Sequence, residues 1–496
     1  MQVNFLHNIP FFSVFLAMFT GIITPLIKDG RKAQKLNMIS MIIIGIMSAI
    51  LLSRVMVTGE TFSFMMGHVP APWGNELRAG PFEALMALVF SIVMILTITG
   101  GLENIYEDIL PEKLNLYFIM MNLLFGSMLA LIYTNDVFTA YVFIEINTIA
   151  SCGLIMAKGT GESIVATIHY LIISQLGSGL FLIGLSLLYS ITGHLLMPNI
   201  QSTIIGLMQN GEYIIPFTVV VGLIILGISI KSALFPFHFM LPGAYHAATP
   251  ASSGILSGLV LKSYIILIIK MFYCVFSIDI IHNLKITNVI FIFGLSGMVM
   301  GSVHALRENR IKRMLAYSSV AQIGYIFMGL GLGTHVGVVA SCFHILAHAF
   351  TKAMLFICTG GLVDASDKKE QFYFLRGAAR RNKLAGIGFT VGAFSMIGVP
   401  LFAGFVSKLY FATASLYSPG KMAATMLTLV ISMILNAMYF MPAVFSIWSP
   451  SPGNTKKVVL KPCFSIATVL FIAANFSLGI FYKPIIRIIE MGISLL

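Results

Sequence analysis

Five charged side chains, Glu145, Lys231, Lys262, Lys352 and Lys408, stand in stretches of this 496-residue chain that are otherwise apolar enough to span a membrane. A fixed charge at the centre of a bilayer costs roughly 2.5–3.5 kcal/mol even on the gentlest insertion scale. A chain that keeps five such charges points to groups used by protons or cations. Lysine suits that work because its ammonium can exchange a proton, whereas a guanidinium keeps its own. Glu145, in YVFIEINTIASCGL, reads either as a protonated packing group or as the partner of a lysine. Lys231 is the expected partner, since both fall near mid-depth. Lys262, one span further on, is the expected acceptor after Lys231, and Lys408 the expected exit donor. The competing reading for each lysine, Lys352 included, is a side chain that snorkels to the interface.

The segment FHILAHAFTKAML places His344, His348 and Lys352 at successive i, i+4 positions, one polar stripe on an apolar helix. Histidine titrates close to neutral pH, so the row has the makings of a proton wire. Satisfied structural histidines and a metal site are the alternatives. Against metal, the H-E-x-x-H zinc motif has Glu directly after its first His, where this chain has Ile345. No nearby Cys, Asp or Glu completes a ligand set. His238 and His246 flank a proline-rich stretch, with His246 expected near its mouth. Ser174, Ser178, Ser318, Ser319 and Gln322 read as helix contacts or water partners. Glu83 and Asp136 stand at span ends and read as interfacial, and the acidic run from Glu103 to Glu112 reads as a solvated face or a partner contact.

The elements that must position these groups are membrane helices. Hydrophobic residues make up 58% of the chain and charged residues 10%, against roughly 25% charged in soluble domains. A spanning helix needs about 20 apolar residues, and fourteen stretches qualify: 9–27, 37–56, 81–101, 115–133, 136–157, 164–192, 214–235, 251–276, 285–304, 314–333, 337–361, 385–413, 421–446 and 462–482. The expected fold is an all-α polytopic membrane protein without an appended soluble domain. The net charge of +12 could suggest nucleic acid, but 19 of the 30 Lys and Arg residues fall in one set of alternate loops and 7 in the other. That asymmetry is topogenic and places both termini outside. The first span has no basic segment ahead of it and no A-x-A-like cleavage site, as expected of a retained anchor. The five cysteines lie singly without C-x-x-C, which indicates neither an iron–sulfur centre nor a disulfide framework.

A faint internal echo aligns His169, Leu171, Leu180 and Phe181 with His344, Leu346, Leu355 and Phe356 at an offset of 175, and Lys231 with Lys408 at 177. It predicts three N-terminal helices (1–114), two five-helix repeats (115–276 and 285–446) of opposite orientation, and a C-terminal helix (447–496). Pro236, Pro242 and Pro250 after Lys231, and Pro400 with Gly398 and Gly404 ahead of Lys408, predict broken helices. Their freed carbonyls must face protein or a wet cavity.

With these residues in hand, the chain resembles the antiporter-like subunits shared by respiratory complex I, Mrp-type cation/proton antiporters and membrane-bound hydrogenases. EINTIASCGL, KSALFPFHFMLPGAYHAATPASSGILSGLVLKSY, IKRMLAYSSVAQIGY, FHILAHAFTKAMLF and GVPLFAGFVSKLY look like signatures of that family in family order. The resemblance implies fourteen helices with two inverted five-helix repeats. It matches Glu145 to the fifth-helix carboxylate, Lys231 to its seventh-helix lysine, Lys262 to the eighth-helix lysine, His344 and His348 to the eleventh-helix histidines and Lys408 to the twelfth-helix lysine. The absence of a long lateral helix and the lysine, rather than glutamate, at 408 favour a D-type Mrp subunit or its hydrogenase equivalent. GHVPAPWGNELRAGPFEALMAL is similar to the corresponding Mrp region. The implied function is proton translocation along a Glu/Lys/His relay in a sodium/proton antiporter of a prokaryotic plasma membrane. No cofactor or metal is implied, and the expected partners are other membrane subunits, lipid, protons and, in the antiporter, sodium ions. A proton- or sodium-pumping subunit of a redox-driven complex is the alternative. A membrane metalloenzyme using His344 and His348 is the third reading.

Overall fold

The computed structural model describes residues 5–66, 69, 74–209, 213–450, 459 and 461–496. Lys456 and Lys457 of the basic loops, and part of GHVPAPW, lie outside the described residues. Thirteen helices among the described residues are long and apolar enough to cross a membrane. In chain order they are α1 (Leu6–Leu26), α2 (Gly30–Thr58), α3 (Pro81–Gly100), α4 (Pro111–Tyr133), α5 (Val137–Met156), α6 (Gly161–Thr192) and α7 (Ile214–Lys231). After the short α8 (Met240–Ala247) come α9 (Pro250–Val275), α10 (Ile286–Arg307), α11 (Ile311–Gly331) and α12 (His335–Asp364). The expected span at 385–413 is two helices, α13 (Lys383–Ile397) and α14 (Ala403–Leu416), separated by a break at Pro400. Two further crossings, α15 (Pro419–Trp448) and α16 (Pro462–Ile480), follow. The protein is an all-α polytopic membrane protein.

Helix starts are fixed by short polar side chains that satisfy free backbone donors. Asp29, Asp136, Thr160, Thr249, Thr334 and Asn382 accept from backbone N–H groups in the first turns of α2, α5, α6, α9, α12 and α13. The breaks fall at the prolines: α7 stops at Lys231 and the chain resumes helically only at Phe237. In each of the stretches α4–α9 and α10–α15 a long third helix, of 32 and 30 residues, precedes a broken one. The close approach of α6 and α7 depends on small residues, for a Cβ on Gly177 would meet the Gly227 carbonyl at 2.8 Å.

Burial is uneven. The most apolar windows of α9 and α12 are wholly enclosed and that of α11 nearly so, while α2, α6 and α15 expose wide apolar faces. The enclosed helices are therefore the ones that carry Lys262, His344, His348 and Lys352. Several elements escaped the sequence reading, short helices such as Leu102–Asp108 and Ile278–Asn283 among them. A hairpin of β1 (Phe62–Met65) and β2 (Glu76–Ala79) pairs Phe62 with Ala79. A helix at Met197–Gln209 lies between α6 and α7. The last stretch is a crossing plus a separate amphipathic helix, α17 (Tyr482–Ser494), which buries Ile486, Ile489 and Ile493.

Candidate functional site

Lys231 ends α7 and its ammonium donates to the Thr148 hydroxyl at 2.5 Å. Glu145, one turn earlier on α5, holds Oε1 at 3.8 Å from the same nitrogen. That is an ion-pair distance and too long for a hydrogen bond. Glu145 is not enclosed: 22% of its side chain is exposed on the flank of the bundle, where Gln175 of α6 donates to Oε2 at 2.9 Å. Thr148 and its neighbour Asn147 lead inward, since the Tyr264 hydroxyl of α9 donates to Asn147 Oδ1 at 2.8 Å.

Lys262 is fully buried and its ammonium donates to the Ser257 carbonyl. The residues Leu256–Val260 form a π-helical turn, and the Lys262 ammonium bonds back onto a carbonyl within it. The Ser257 hydroxyl meets Ser319 of α11 at 2.8 Å, and Ser319 and Ser318 both donate to the Leu315 carbonyl. Lys352 of α12 donates to that same carbonyl at 2.9 Å and to the Ser318 hydroxyl. Lys262 and Lys352 are thus joined by serines. Full burial excludes the snorkelling reading for Lys231, Lys262, Lys352 and Lys408.

His348 stands within electrostatic reach of Lys262, Lys352 and His344, and His344 within reach of Lys262 and Lys408. His344 Nδ1 pairs with the Ser407 hydroxyl at 2.9 Å and its ring stacks on Tyr325 at 5.6 Å. Lys408 also lies against the Tyr325 ring, 5.5 Å from its centre, and donates to the Met396 carbonyl. Met396 is in the last turn of α13, whose carbonyls lose their helical partners at the break. Gly398 makes the pocket possible: its φ is +98°, and a Cβ there would meet Lys408 Nζ at 3.0 Å. Among the described residues His344 Nε2, both ring nitrogens of His348 and the Gln322 amide have no hydrogen-bond partner. Buried polar groups need partners, so this stripe is a place for water.

The structure therefore brings Lys262, Lys352, His348, His344 and Lys408 together around α12, and sets Glu145 and Lys231 to one side, with Thr148 beside Lys231 and Asn147 bonded to Tyr264 of α9. Among the described residues no group of three or more His, Cys, Asp or Glu could hold a metal. Sequence reasoning missed Thr148, Asn147, Tyr264, Ser257, Ser407, Tyr325 and the Met396 carbonyl, because single hydroxyls and carbonyls leave no pattern in sequence. Burial at the span ends was also not legible to it. Lys270, counted with the loops, is fully buried and donates to the Ile132 and Thr134 carbonyls. Glu83, read as interfacial, is 1% exposed between Arg78 and Lys270. Lys312, also counted with the loops, is buried and pairs with Glu370 at 2.9 Å. The acidic run is not a bare solvated face, since Glu103, Glu107 and Asp108 pair with Lys461, Lys368 and Lys158. His246 lies in the last turn of α8, at the end away from the α7–α8 break, 2.8 Å from Glu370 and 2.7 Å from Arg310. His238 packs among Phe235, His304 and Tyr317.

Fold and site together define a polytopic helical membrane protein with a titratable axis enclosed in its core. Residues 134–442 match the family described as NADH:quinone oxidoreductase/Mrp antiporter, transmembrane, and the chain belongs to that family. It is 30% identical over 410 residues to the N-type subunit of the NADH-quinone oxidoreductase of Desulforudis audaxviator, covering 82% of this chain and 79% of the relative. It is 26% identical over 442 residues to the D-type subunit of the Na(+)/H(+) antiporter of Bacillus subtilis, covering 88% and 86%. A chain of the membrane-bound sulfane sulfur reductase, an archaeal respiratory membrane complex, superposes with a TM-score of 0.87 at 26% identity, over 99% of this chain and 96% of that one.

Proposed function

We propose that this chain is the proton-translocating subunit of a multisubunit sodium/proton antiporter of the Mrp type, in a prokaryotic plasma membrane with both termini outside. Glu145, Lys231, Lys262, His348, His344, Lys352 and Lys408 are the groups that pass the proton. The observation that carries the reading is the enclosed axis: three lysines and two histidines share one wholly buried helix and its neighbours, with partner-free polar atoms between them. A bundle that needed only stability would place apolar side chains there, because unpaired buried charge is expensive. The similarity to a D-type antiporter subunit supports the sodium-coupled form. A second reading, a pumping subunit of a redox-driven complex, is favoured by the likeness to the quinone oxidoreductase subunit and to the sulfur reductase chain.

The test uses everted membrane vesicles that carry the assembled complex, with a dye reporting the proton gradient. Sodium added to energised vesicles should release protons in the parent and at least tenfold more slowly in Lys262→Arg. Proton movement that ignores sodium and requires an electron donor would establish the redox-driven reading instead. Parent-like rates in Lys262→Arg under both drives would remove the axis from the mechanism.

A further inference from the structure

The end of the bundle that carries the β1–β2 hairpin holds a second buried cluster that the relay above does not use. Glu83, in the first turn of α3, is flanked by Arg78 of β2 at 3.7 Å and Lys270 of α9 at 3.9 Å, both measured to Oε1. Its other oxygen accepts from the Gly80 backbone at 3.0 Å. Among the described residues Oε1 itself accepts no hydrogen bond, while the enclosed hydroxyls of Tyr133 on α4 and Ser48 on α2 face each other beside it. Two cations and one carboxylate thus share an enclosed site, and the free carboxylate oxygen leaves a place for water. The surplus is positive, so the site repels a metal cation. Of its two cations only the lysine can release a proton. Lys270 is also two helical turns beyond Lys262 on the same enclosed helix, roughly 12 Å along the axis.

We propose that Lys270 and Glu83 are the terminus of the proton path at the hairpin face, with Arg78 as the positioning residue that holds Glu83. The inference rests on the reading of this chain as proton-translocating. A proton leaves the Lys270 ammonium for Glu83 Oε1, giving a neutral amine and a carboxylic acid. The acid then releases the proton to water at the hairpin, and the return path is the reverse. Arg78, which donates to the Leu495 carbonyl and to Cys274 Sγ, keeps the carboxylate from swinging into the medium. The charged or titratable groups facing the pair are Arg78 from β2, Cys274 from α9 and Tyr133 from α4. Of the charges on α17, Lys483, Arg487 and Glu490 are exposed, and beyond Cys274 the Leu496 oxygen accepts from its Sγ at 3.6 Å.

The competing account is structural: Lys270 caps the last carbonyls of α4 and Glu83 merely balances it. Right-side-out and everted vesicles carrying the assembled complex separate the two, because the pH at each face can be varied alone. Lys270→Arg keeps the charge and the carbonyl contacts, and its rate per assembled complex should fall at least tenfold. Glu83→Gln keeps the shape. Its rate should respond to pH at the hairpin face with a midpoint moved by at least one unit, while the profile at the opposite face stays that of the parent. Parent-like rates and profiles in both variants, or losses that only track the amount of assembled complex, overturn the proposal. Lys262→Arg measured alongside separates the two levels. If it fails while both hairpin-side variants behave as the parent, the cluster is a brace and the axis stands. If it transports normally, the axis reading falls, and this inference with it.

Discussion

Lys231 and Lys408 each sit at a broken helix, yet the two sites are built differently. Lys231 is the last residue before its break, whereas Lys408 lies beyond the break that ends α13. The 177-residue offset therefore pairs residue types but not positions relative to the breaks. Lys231 has a carboxylate at 3.8 Å and a hydroxyl at 2.5 Å, and its carboxylate reaches the flank of the bundle. Among the described residues no carboxylate pairs with Lys408: a helix-end carbonyl, the Tyr325 ring face and the neighbouring His344 surround it. A charge with a counterion can be controlled through that counterion. A charge stabilised only by dipoles answers to the other titrating groups on its axis. In the proposed relay, Glu145, partly exposed beside Gln175, is thus the place where something outside this chain would set the state of Lys231, while Lys408 would follow the state of the histidines.

The contrast is broken most severely at Lys408. Lys408→Arg keeps a charge that dipoles can hold but removes the exchangeable proton. We expect assembled complex whose sodium-driven proton flux is at least a hundredfold below the parent, read by dye recovery in vesicles. Flux within threefold of the parent would make Lys408 a fixed electrostatic element. At the other site Glu145→Gln strips the counterion and leaves the ammonium with its hydroxyl. Breaking a fully buried pair costs about 3–5 kcal/mol, and the partial exposure of Glu145 reduces that. We expect a ten- to hundredfold loss, with expression retained. If this variant and Lys408→Arg lose the same amount, the difference between the two sites has no functional weight.

A finer cut is Thr148→Val, which keeps the shape and deletes the hydroxyl that accepts from Lys231. A hydrogen bond from a charged group contributes about 1.5–3 kcal/mol, but Glu145 remains to share the ammonium. A three- to tenfold slowing follows, and it should vanish in a Glu145→Gln background if hydroxyl and carboxylate act on one proton. Additive losses in the double variant would show that Thr148 serves the inward link to Tyr264 rather than Lys231.

Most of this architecture was legible in the sequence because membrane physics is restrictive. Apolar runs of spanning length, their alternating basic loops and the prolines at 236 and 400 left few alternatives, and the crossings and both breaks emerged from them. The charged members of the axis were legible for the same reason: Lys262 and His348 are conspicuous among leucines and isoleucines. What stayed hidden was whatever depends on depth. Lys270 and Lys312 fall at span ends, where a lysine in a loop and one folded back under the bundle look alike. Glu83 suffered the same ambiguity, and the hairpin-side cluster was lost with it. Hydroxyls such as Ser257 and Thr148 were invisible because serine and threonine occur throughout membrane helices as intrahelical hydrogen-bonding groups.

The smallest expected effect on transport comes from a carboxylate with everything Lys408 lacks. Glu370, in the loop between α12 and α13, pairs with Lys312 at 2.9 Å and His246 at 2.8 Å. Burial alone would raise its carboxyl, but the hydrogen bond from His246 and the charge of Lys312 outweigh that and hold it at about 2. A carboxylate held lower in the folded state than in the unfolded chain stabilises above its unfolded value, near 4.3, and that stabilisation drains away as pH falls toward 2. The contribution at neutral pH is on the order of 3 kcal/mol. Glu370→Gln should therefore lower the melting temperature of the purified complex at pH 7, with the gap to the parent closing between about pH 4.5 and 2.5. Transport per folded complex should change by less than threefold, since the proposed proton axis around α12 does not pass through this side chain. A melting difference that persists undiminished at pH 2.5 would mean that the Gln side chain disrupts packing and that the ion pairs of Glu370 contribute nothing. A large loss of flux at full stability would instead move the mouth of the proton path opposite the hairpin to the His246 network.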